Sequence, residues 1–297
     1  MERVNLEPIF GGMYLLRSET DGKLPQSHSV VIRDDVHALI DACCGFGLLE
    51  RYYKESAPDQ VIVSHAHVDH MAGLYIFQGC EILSPREHSE IFWKLDAQAD
   101  RFVGDDPIKQ MWKEHVQFLF GVQDCQADAF YGDGHVFDFG SIKLEAIHAP
   151  GHTDDSYVLF EPEQGILLAF DIDLTRFGPW YGNPEGDIDG FADAIELCKD
   201  LDPKILVSSH KGVIKEDIQG QLDEYGAVIE KRDKKIMELL SEPRTLQYLE
   251  DASPIHGGFP YAEEMLRYFE RNMVRKHLER LHGRGLVVQA GDRWERA

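Results

Sequence analysis

The chain has 297 residues, of which 43% are hydrophobic and 28% are charged, an ordinary composition for a globular protein. No run approaches the ~20 apolar residues that a membrane-spanning helix needs, and the N-terminus lacks the apolar core of a signal peptide. We therefore expect a cytoplasmic protein without a membrane partner. The net charge of -23 argues against broad, non-specific affinity for nucleic acid, because binding phosphates requires an excess of Lys and Arg.

The five cysteines are scattered, and none has the C-x-x-C spacing of a zinc ribbon, which favours a reducing compartment. Cys43 and Cys44 are adjacent and could form a strained disulfide or a redox switch. Buried free cysteine is common, however, and we favour two small residues that pack after a strand.

Short β-like runs, bounded by Gly, Asp or charged residues, recur early in the chain. They cover residues 13–16, 29–32, 38–41 and 61–63. The fourth run leads directly into a cluster of histidines. The pattern predicts strands, the fourth of which ends beside that cluster.

Residues 85–130 have a different character, rich in Glu, Lys, Gln, Trp and Phe. Ile91 and Leu95 have helical spacing, and so does a second set of residues, Met111, His115, Phe118 and Leu119. We interpret this region as a helical insertion that could lie over a site.

Strand-like segments return at residues 135–138, 143–147, 156–160 and 166–170. A helix is expected over 191–199, and a short strand over 204–207. A second set of strands followed by helices thus repeats the order of the first, although the two halves share no residue pattern.

The C-terminal tail is predicted to be mostly helical, with helices over 230–240 and 261–281. Residues 286–294 follow as two short β-like pieces around Gly291-Asp292, which indicates a winged-helix shape. Residues 230–297 hold 13 basic and 12 acidic residues, whereas residues 1–229 hold 17 and 41. This asymmetry supports two domains, a catalytic one over 1–225 and a winged-helix-like one over 226–297.

The strongest chemical signal is the segment Ser64-His65-Ala66-His67-Val68-Asp69-His70. His65 and His67 are two residues apart, so on an extended segment they project to the same side and could bind one metal ion. Asp69 and His70 follow, just before Met71, where a helix is expected to begin, and a turn there could direct them at a second ion. Three histidines and an aspartate directly after an apolar strand would be costly to bury without a ligand.

Three later residues share one placement, after the end of a predicted strand. They are His152 in a Pro-Gly turn, Asp171 after the run 166–170, and His210 after the run 204–207. Each alone is weak evidence. Together they mark the edge where open α/β sheets tend to place their sites.

These motifs, in this order, resemble the metallo-β-lactamase superfamily. They are H-x-H-x-D-H at 65–70, Pro-Gly-His-Thr at 150–153, the strand-ending Asp171 and Ser-His-Lys-Gly at 209–212. The resemblance covers about residues 28 to 212. It implies an α/β fold, an αββα sandwich with two metal ions at one edge of two packed sheets.

The resemblance also implies a ligand set. His65, His67 and His152 would hold the first metal, and Asp69, His70 and His210 the second, with Asp171 bridging them. Asp41 matches the family's usual aspartate that helps to orient a ligand histidine. One departure is Phe170, which precedes Asp171 where a glycine is common. Flavodiiron members have a glutamate in place of His67, and true β-lactamases usually have a cysteine in place of Asp171, so neither activity is expected.

The expected enzyme is thus a metal-dependent hydrolase with two divalent ions, zinc first and iron or manganese as alternatives. Two neighbouring ions lower the pKa of a bridging water enough to give hydroxide near neutral pH. That hydroxide would attack a small-molecule ester, thioester or lactone, and Asp69 could relay a proton. The aromatic residues Phe177, Trp180 and Tyr181, which follow Asp171 closely, could form a pocket wall for an apolar acyl group.

The alternative is an endoribonuclease or phosphodiesterase with the same metal site. Its support is the tail, which resembles the C-terminal winged helix of a branch containing endoribonuclease-like and hydroxyacylglutathione hydrolase-like (glyoxalase II-like) proteins. A basic face for RNA would consist of Arg271, Arg275, Lys276, Arg280 and Arg284. These residues could equally be partners of neighbouring glutamates or part of a homodimer surface, and the overall charge favours the small-molecule substrate.

Overall fold

A computed structural model of the protein describes residues 4–87, 89, 94–104 and 107–297. Ile91, part of the helical spacing expected in the insertion, lies outside these residues. Within them the main body contains two large sheets that pack face to face, with helices on both outer faces. This is the αββα sandwich that the sequence predicts.

The first sheet has seven strands that neighbour one another in chain order. They are Glu7–Phe10 (β1), Met13–Leu16 (β2), Ser29–Arg33 (β3), His37–Ile40 (β4), Gln60–Ile62 (β5), Glu81–Pro85 (β6) and Ala129–Tyr131 (β7). β1 to β4 are antiparallel, whereas β4 to β7 run parallel. The helix Phe46–Glu55 (α1) connects β4 to β5 and packs on the outer face through Leu49 and Tyr52.

The second sheet has six strands in the order β13-β12-β11-β10-β9-β8. They are Val136–Asp138 (β8), Lys143–His148 (β9), Tyr157–Glu161 (β10), Ile166–Phe170 (β11), Ile205–Ser208 (β12) and Gly212–Ile214 (β13). The helix Ile188–Asp200 (α5) covers its outer face. Every residue of β11 is buried, because one face meets the first sheet and the other meets α5.

Strand periodicity decides which residues form the core between the sheets. Val30 and Ile32 point to the inner core with Leu144 and Leu168 from the second sheet, whereas Val31 points outward to the α1 side. The three central residues of β3, Val30 to Ile32, are therefore all apolar, since both faces of the strand are covered there.

The short helix Val68–Met71 (α2) and a 3-10 turn at Leu74–Phe77 follow β5. α2 begins at Val68, three residues earlier than the sequence suggested, so Asp69 and His70 lie within its first turn. The helix dipole there favours the aspartate.

Two helices occupy the insertion between β6 and β7, Leu95–Phe102 (α3) and Lys109–Phe120 (α4). Of the residues whose spacing predicted α4, Met111, Phe118 and Leu119 lie on the exposed side of the helix. The buried side consists of Trp112, Val116 and Phe120, which pack with α3 and with the C-terminal helix.

The C-terminal part contains the helices Ile218–Leu239 (α6), Leu246–Ala252 (α7) and Glu263–Gly283 (α8). A small sheet has the order β14-β16-β15, formed by Arg244–Thr245 (β14), Val287–Ala290 (β15) and Arg293–Arg296 (β16). β15 and β16 form the hairpin around Gly291-Asp292. The winged-helix assignment itself remains a prediction.

Helix α6 runs without a break through residues 225 and 226, where the charge pattern places the domain boundary. Leu222 and Ile229 pack in the core beneath the second sheet, whereas Ile236 and Leu240 pack in the C-terminal core. One helix is thus shared by both parts. Among the described residues, no helix combines the length and apolar character needed to cross a bilayer.

Candidate metal centre

The seven residues expected as ligands converge at one end of the sandwich. His65, His67, Asp69 and His70 lie after β5, and each of the other three lies in a loop after a strand of the second sheet, β9, β11 or β12. Their potential ligand atoms form two groups, and within each group these atoms lie within 4.8 Å of one another. The first group is His65, His67, His152 and Asp171, and the second group is Asp69, His70 and His210.

Asp171 lies between the two groups, with one carboxylate oxygen facing each. Oδ2 is 3.1 Å from Nε2 of His152 and 3.8 Å from Nε2 of His65. Oδ1 is 3.0 Å from Nε2 of His70 and 3.6 Å from Nε2 of His210. This is the arrangement that a bridging carboxylate requires. In the second group, Oδ2 of Asp69 is 3.5 Å from Nε2 of His210.

Several polar atoms at this centre are buried and have no hydrogen-bond partner among the described residues. They include Nε2 of His65, Nε2 of His70 and Oδ1 of Asp171. An unpartnered buried polar atom is destabilising, and cations bound in both groups would satisfy all three. Nitrogen and carboxylate donors of this kind suit zinc, iron or manganese, so the residues present fit a divalent metal.

Four of the five histidines are oriented in the same way, with Nδ1 bonded to a fixed neighbour and Nε2 directed at the centre. Nδ1 of His152 and of His210 lies 2.8 Å from the carbonyl oxygens of Trp180 and Gly22, respectively. Nδ1 of His65 lies 3.0 Å from Oγ of Ser64. A carbonyl on Nδ1 fixes the proton there and leaves Nε2 free to bind a metal.

Asp41 orients the fourth histidine, as the sequence predicts. Its Oδ2 lies 2.8 Å from Nδ1 of His70, and the same carboxylate accepts hydrogen bonds from the backbone N–H and the hydroxyl of Ser64. Asp41 is 1% exposed. One buried carboxylate therefore fixes both His70 and the start of the histidine segment.

His67 has the opposite orientation. Its Nδ1 lies 2.7 Å from Nε2 of His152, inside the first group, and its Nε2 lies 2.6 Å from the side-chain amide of Asn183. Metal binding through Nδ1 requires a proton on Nε2, which the amide oxygen of Asn183 can accept after rotation of the side chain. Asn183 was not identified from the sequence.

The charges at the centre also fit a cation. Burial and neighbouring histidines lower the pKa of His65 and His67 well below the usual value, so both are neutral, as ligands must be. Burial alone would lower the pKa of His210 too, but Asp171 and then Asp69 raise it to about 9. Protons on histidines near these carboxylates offset the negative charge of the carboxylates, as bound metal ions would do.

Of the three expected pocket residues, the structure brings Trp180 to the centre. Its ring centroid lies 5.6 Å from that of His67 and 5.8 Å from that of His152. Tyr181 is fully buried and its hydroxyl bonds Nε2 of His277 at 2.7 Å, so it does not line a pocket. Phe177 packs against Arg232 and the ring of His256, away from the ligands.

Two other aromatic residues lie close to the rings of His67 and Trp180. The ring of Phe102, from α3, lies 5.0 Å from that of His67, and the ring of Phe269, from α8, lies 5.2 Å from that of Trp180. The insertion thus reaches His67 of the first group, and the C-terminal helix reaches Trp180 beside that group. Neither residue has a local sequence motif that would have identified it.

Arg101 of α3 connects the insertion to the metal-binding loops. Its Nη2 lies 2.7 Å from Oδ1 of Asp155, whose Oδ2 accepts a hydrogen bond from the backbone N–H of Ala66, between the first two histidines. The Arg101 side chain is 5% exposed. Its buried position indicates a structural role for the ion pair.

The basic residues of the tail are mostly engaged within the protein. Nε of Arg271 lies 2.7 Å from Oε2 of Glu250, and Nε of Arg280 lies 2.7 Å from Oδ1 of Asp189. Arg284 lies 3.7 Å from the same aspartate, and Lys276 donates to backbone carbonyls. Four of the five residues proposed for an RNA-binding face therefore have internal partners.

Comparisons with known proteins agree with this geometry. Human acyl-coenzyme A thioesterase MBLAC2 is 25% identical over 197 residues, which is 61% of this chain and 63% of that protein. The Caenorhabditis elegans beta-lactamase-like protein 2 homolog is 22% identical over 229 residues, 77% of this chain and 66% of that protein. The chain thus covers slightly less than two thirds of the human relative.

Solved structures show the same fold over nearly the whole chain. A metallo-beta-lactamase family protein from Thermus thermophilus superposes with a TM-score of 0.74 and 20% identity, covering 96% of this chain and 99% of that one. A beta-lactamase domain protein from Burkholderia ambifaria gives 0.76 and 15% identity, covering 99% and 94%. The similarity therefore includes the C-terminal part.

The family model of the metallo-beta-lactamase superfamily matches residues 22–210. This range is well over half of the chain and contains all seven residues that converge at the centre. The protein therefore belongs to the metallo-beta-lactamase superfamily.

Proposed function

We propose that the protein is a dinuclear metal-dependent hydrolase, with zinc as the first choice of metal, that cleaves a small acyl substrate, a thioester before an ester or lactone. The observation that carries the proposal is the position of Asp171, whose two oxygens face two separate ligand groups. When bound, two divalent ions would activate water near neutral pH and stabilise negative charge on the substrate's oxygen.

The chain's own residues would hold and orient this centre. Asp69 belongs to the second group, and its side chain is 13% exposed, so one oxygen can bind a metal while the other accepts a proton. Trp180, whose ring lies beside those of His67 and His152, presents an apolar face to the first group, which would bind an acyl chain and exclude water.

The thioester preference rests on two supports. A human and a bovine relative are both named acyl-coenzyme A thioesterases. The aromatic surface beside His67 also suits an apolar acyl group better than a phosphodiester. The nuclease alternative has less support, because four of the five tail residues that would bind RNA are paired internally.

The experiment compares hydrolysis of acyl thioesters of two chain lengths, an ester, a lactone and a bis-phosphodiester by zinc-loaded protein. We expect the longer acyl thioester to have the highest kcat/KM. Preferential cleavage of the phosphodiester, or of RNA, would overturn the acyl assignment and support the nuclease.

A matched pair of variants tests the aromatic surface. Trp180→Ala should raise KM for the longer thioester about tenfold, equivalent to about 1.4 kcal/mol, with little effect on an acetyl thioester. The backbone carbonyl that orients His152 is retained in this variant. Phe118→Ala, at an 85% exposed site on α4, is the control and should match the wild type. An equal effect of Trp180→Ala on both thioesters would contradict acyl binding at this surface.

A further inference from the structure

The segment between β11 and α5 orients two ligands of the first group. The carbonyl oxygen of Trp180 lies 2.8 Å from Nδ1 of His152, and the amide of Asn183 lies 2.6 Å from Nε2 of His67. Residues 177–183 of this segment have no helix or strand. Its backbone carbonyls must therefore find hydrogen-bond partners elsewhere in the protein.

Helix α8 supplies several of these partners. Nζ of Lys276 lies 3.1 Å from the carbonyl oxygen of Tyr181 and 2.6 Å from that of Gly186, and it also contacts the carbonyl oxygen of Asn183. Nδ2 of Asn272, one helical turn earlier, donates to the carbonyl oxygen of Gly182 at 3.0 Å. Two side chains of α8 thus hold four carbonyls of the segment.

The ammonium group suits this arrangement, because its three N–H donors match three converging carbonyls. Burial lowers the pKa of Lys276 to about 8, with Glu185 opposing the shift, so the group is mainly protonated at neutral pH. The fit is also tight. A Cβ at residue 186 would lie 3.0 Å from Nζ, so the glycine there leaves space for the lysine.

Helix α6 holds the start of the same segment. The guanidinium of Arg232, which is 3% exposed, donates to the carbonyl oxygens of Phe177 and Pro179. The C-terminal helices therefore act as a rigid support for the segment along its whole length.

We propose that Lys276 and Asn272 are positioning residues for the first metal-binding group, acting through the segment that carries Trp180 and Asn183. Their hydrogen bonds go to backbone carbonyls of the segment and not to the candidate ligands. The inference rests on the proposed metal centre, and it gives the C-terminal part a role in the hydrolase other than binding nucleic acid.

The effect should be confined to the first group. In the second group, His70 is oriented by Asp41 and His210 by the carbonyl oxygen of Gly22, and both of these neighbours belong to other parts of the chain. Loosening the segment should thus weaken one metal site and leave the other unchanged. A general loss of stability would weaken both.

The test uses the full-length protein loaded with zinc, and measures zinc content after dialysis against graded concentrations of a chelator. Lys276→Met removes the ammonium and keeps most of the side chain's length. We expect one of two zinc ions to bind about tenfold more weakly, the lower end of the loss seen when groups that orient ligands are removed. The second zinc should bind as in the wild type.

Lys235→Met is the matched control, because Lys235 also donates to a backbone carbonyl, that of Pro254, but makes no contact with the segment. It should retain both zinc affinities. Repeating Lys276→Met in a His210→Ala background, in which the second group is incomplete, assigns the affected ion, because the weakened zinc should then be the remaining one.

Asn272→Leu is a second, milder variant, which removes a single hydrogen bond at similar side-chain size. It should weaken binding of the same zinc ion about threefold. This loss is smaller than that expected for Lys276→Met, because only one of the four carbonyl contacts is removed. Loss of both ions in parallel with a fall in Tm, or unchanged affinities in Lys276→Met or Asn272→Leu, overturns the positioning role. A wild-type protein that binds fewer than two zinc ions would instead overturn the proposed dinuclear function.

Discussion

Oδ2 of Asp41 lies 2.8 Å from Nδ1 of His70, and both side chains are almost completely buried. The carboxylate holds a proton of the imidazole on Nδ1, so Nε2, which is directed toward Asp171, is the nitrogen left to bind a metal. A pair separated by 29 residues thus determines which nitrogen of His70 can bind a metal.

Asp41→Asn tests this pairing with little change in shape. The amide can donate to Nδ1, which would place the imidazole proton on Nε2 and block metal binding there. We expect zinc in the second group to bind roughly 10- to 100-fold more weakly, while zinc in the first group, which Asp41 reaches only through Ser64 and His65, is weakened less. Chelator competition measures both. Equal affinities in the variant and the wild type would show that Asp41 does not select the tautomer.

Asp69 has two possible roles, ligand and proton acceptor, and Asp69→Asn separates them. The amide oxygen can still bind a metal, but it cannot accept a proton. We expect kcat to fall about 100-fold or more at saturating zinc, the usual contribution of a positioned general base. Steady-state kinetics with zinc content measured on the same samples tests this. A variant with both metals and full turnover would eliminate the proton-transfer role.

The convergence of the seven candidate ligands could be predicted from the sequence, because they lie in short motifs or directly after strands. The residues that orient them could not. Asn183 lies 116 positions from His67, and Lys276 lies 93 positions from Asn183, in segments with no shared pattern. Tyr181 and Trp180 are adjacent, and their sequence gives no sign that one faces the metal centre and the other faces His277.

The elements of the fold that the sequence did not indicate are short or have weak end signals. β7 has three residues, too few for an alternating pattern, and forms by parallel pairing with β6. α1 follows Gly45, whose φ is 122° and which provides no side-chain cap, so the usual start signal of a helix is missing. Tertiary packing of Leu49 and Tyr52 stabilises this helix instead.

Thiol labelling tests the packing around the cysteines. All five lie in the described part of the chain and are free, and all except Cys80 are buried. Burial also raises the pKa of Cys44 to about 12, which suppresses the reactive thiolate. We expect iodoacetamide at pH 8 to modify one cysteine in the native protein and five in denaturant, as counted by mass spectrometry.

A disulfide between Cys43 and Cys44 would change that count. Adjacent Cα atoms across a trans peptide are about 3.8 Å apart, shorter than the usual disulfide range, so the bridge would be strained. Modification of three cysteines in denaturant without reductant, rising to five with reductant, would reveal a disulfide that the packing argues against.

The last prediction concerns Glu185, which lies behind Asn183 with its side chain 12% exposed. Its Oε2 has no hydrogen-bond partner among the described residues, and burial raises its pKa to about 7, although Arg101 opposes the shift. Because the folded-state pKa lies above the unfolded value of 4.5, the folded protein binds more protons between these values. The contribution of the Glu185 carboxyl to the stability of the folded protein is therefore complete below pH 4.5 and is lost as the pH rises through 7.

Glu185→Gln should remove this dependence. At pH 8 the variant should have a free energy of unfolding higher than that of the wild type by on the order of 2 kcal/mol, and the difference should shrink as the pH falls toward 5. Urea unfolding in the presence of a chelator measures it without the charges of bound cations. Glu279→Gln, at an exposed position of α8, controls for the loss of one negative charge from a protein of net charge -23. An equal increase in the free energy of unfolding in both variants, or an increase independent of pH, would show that burial of the charged Glu185 carboxylate does not destabilise the folded protein.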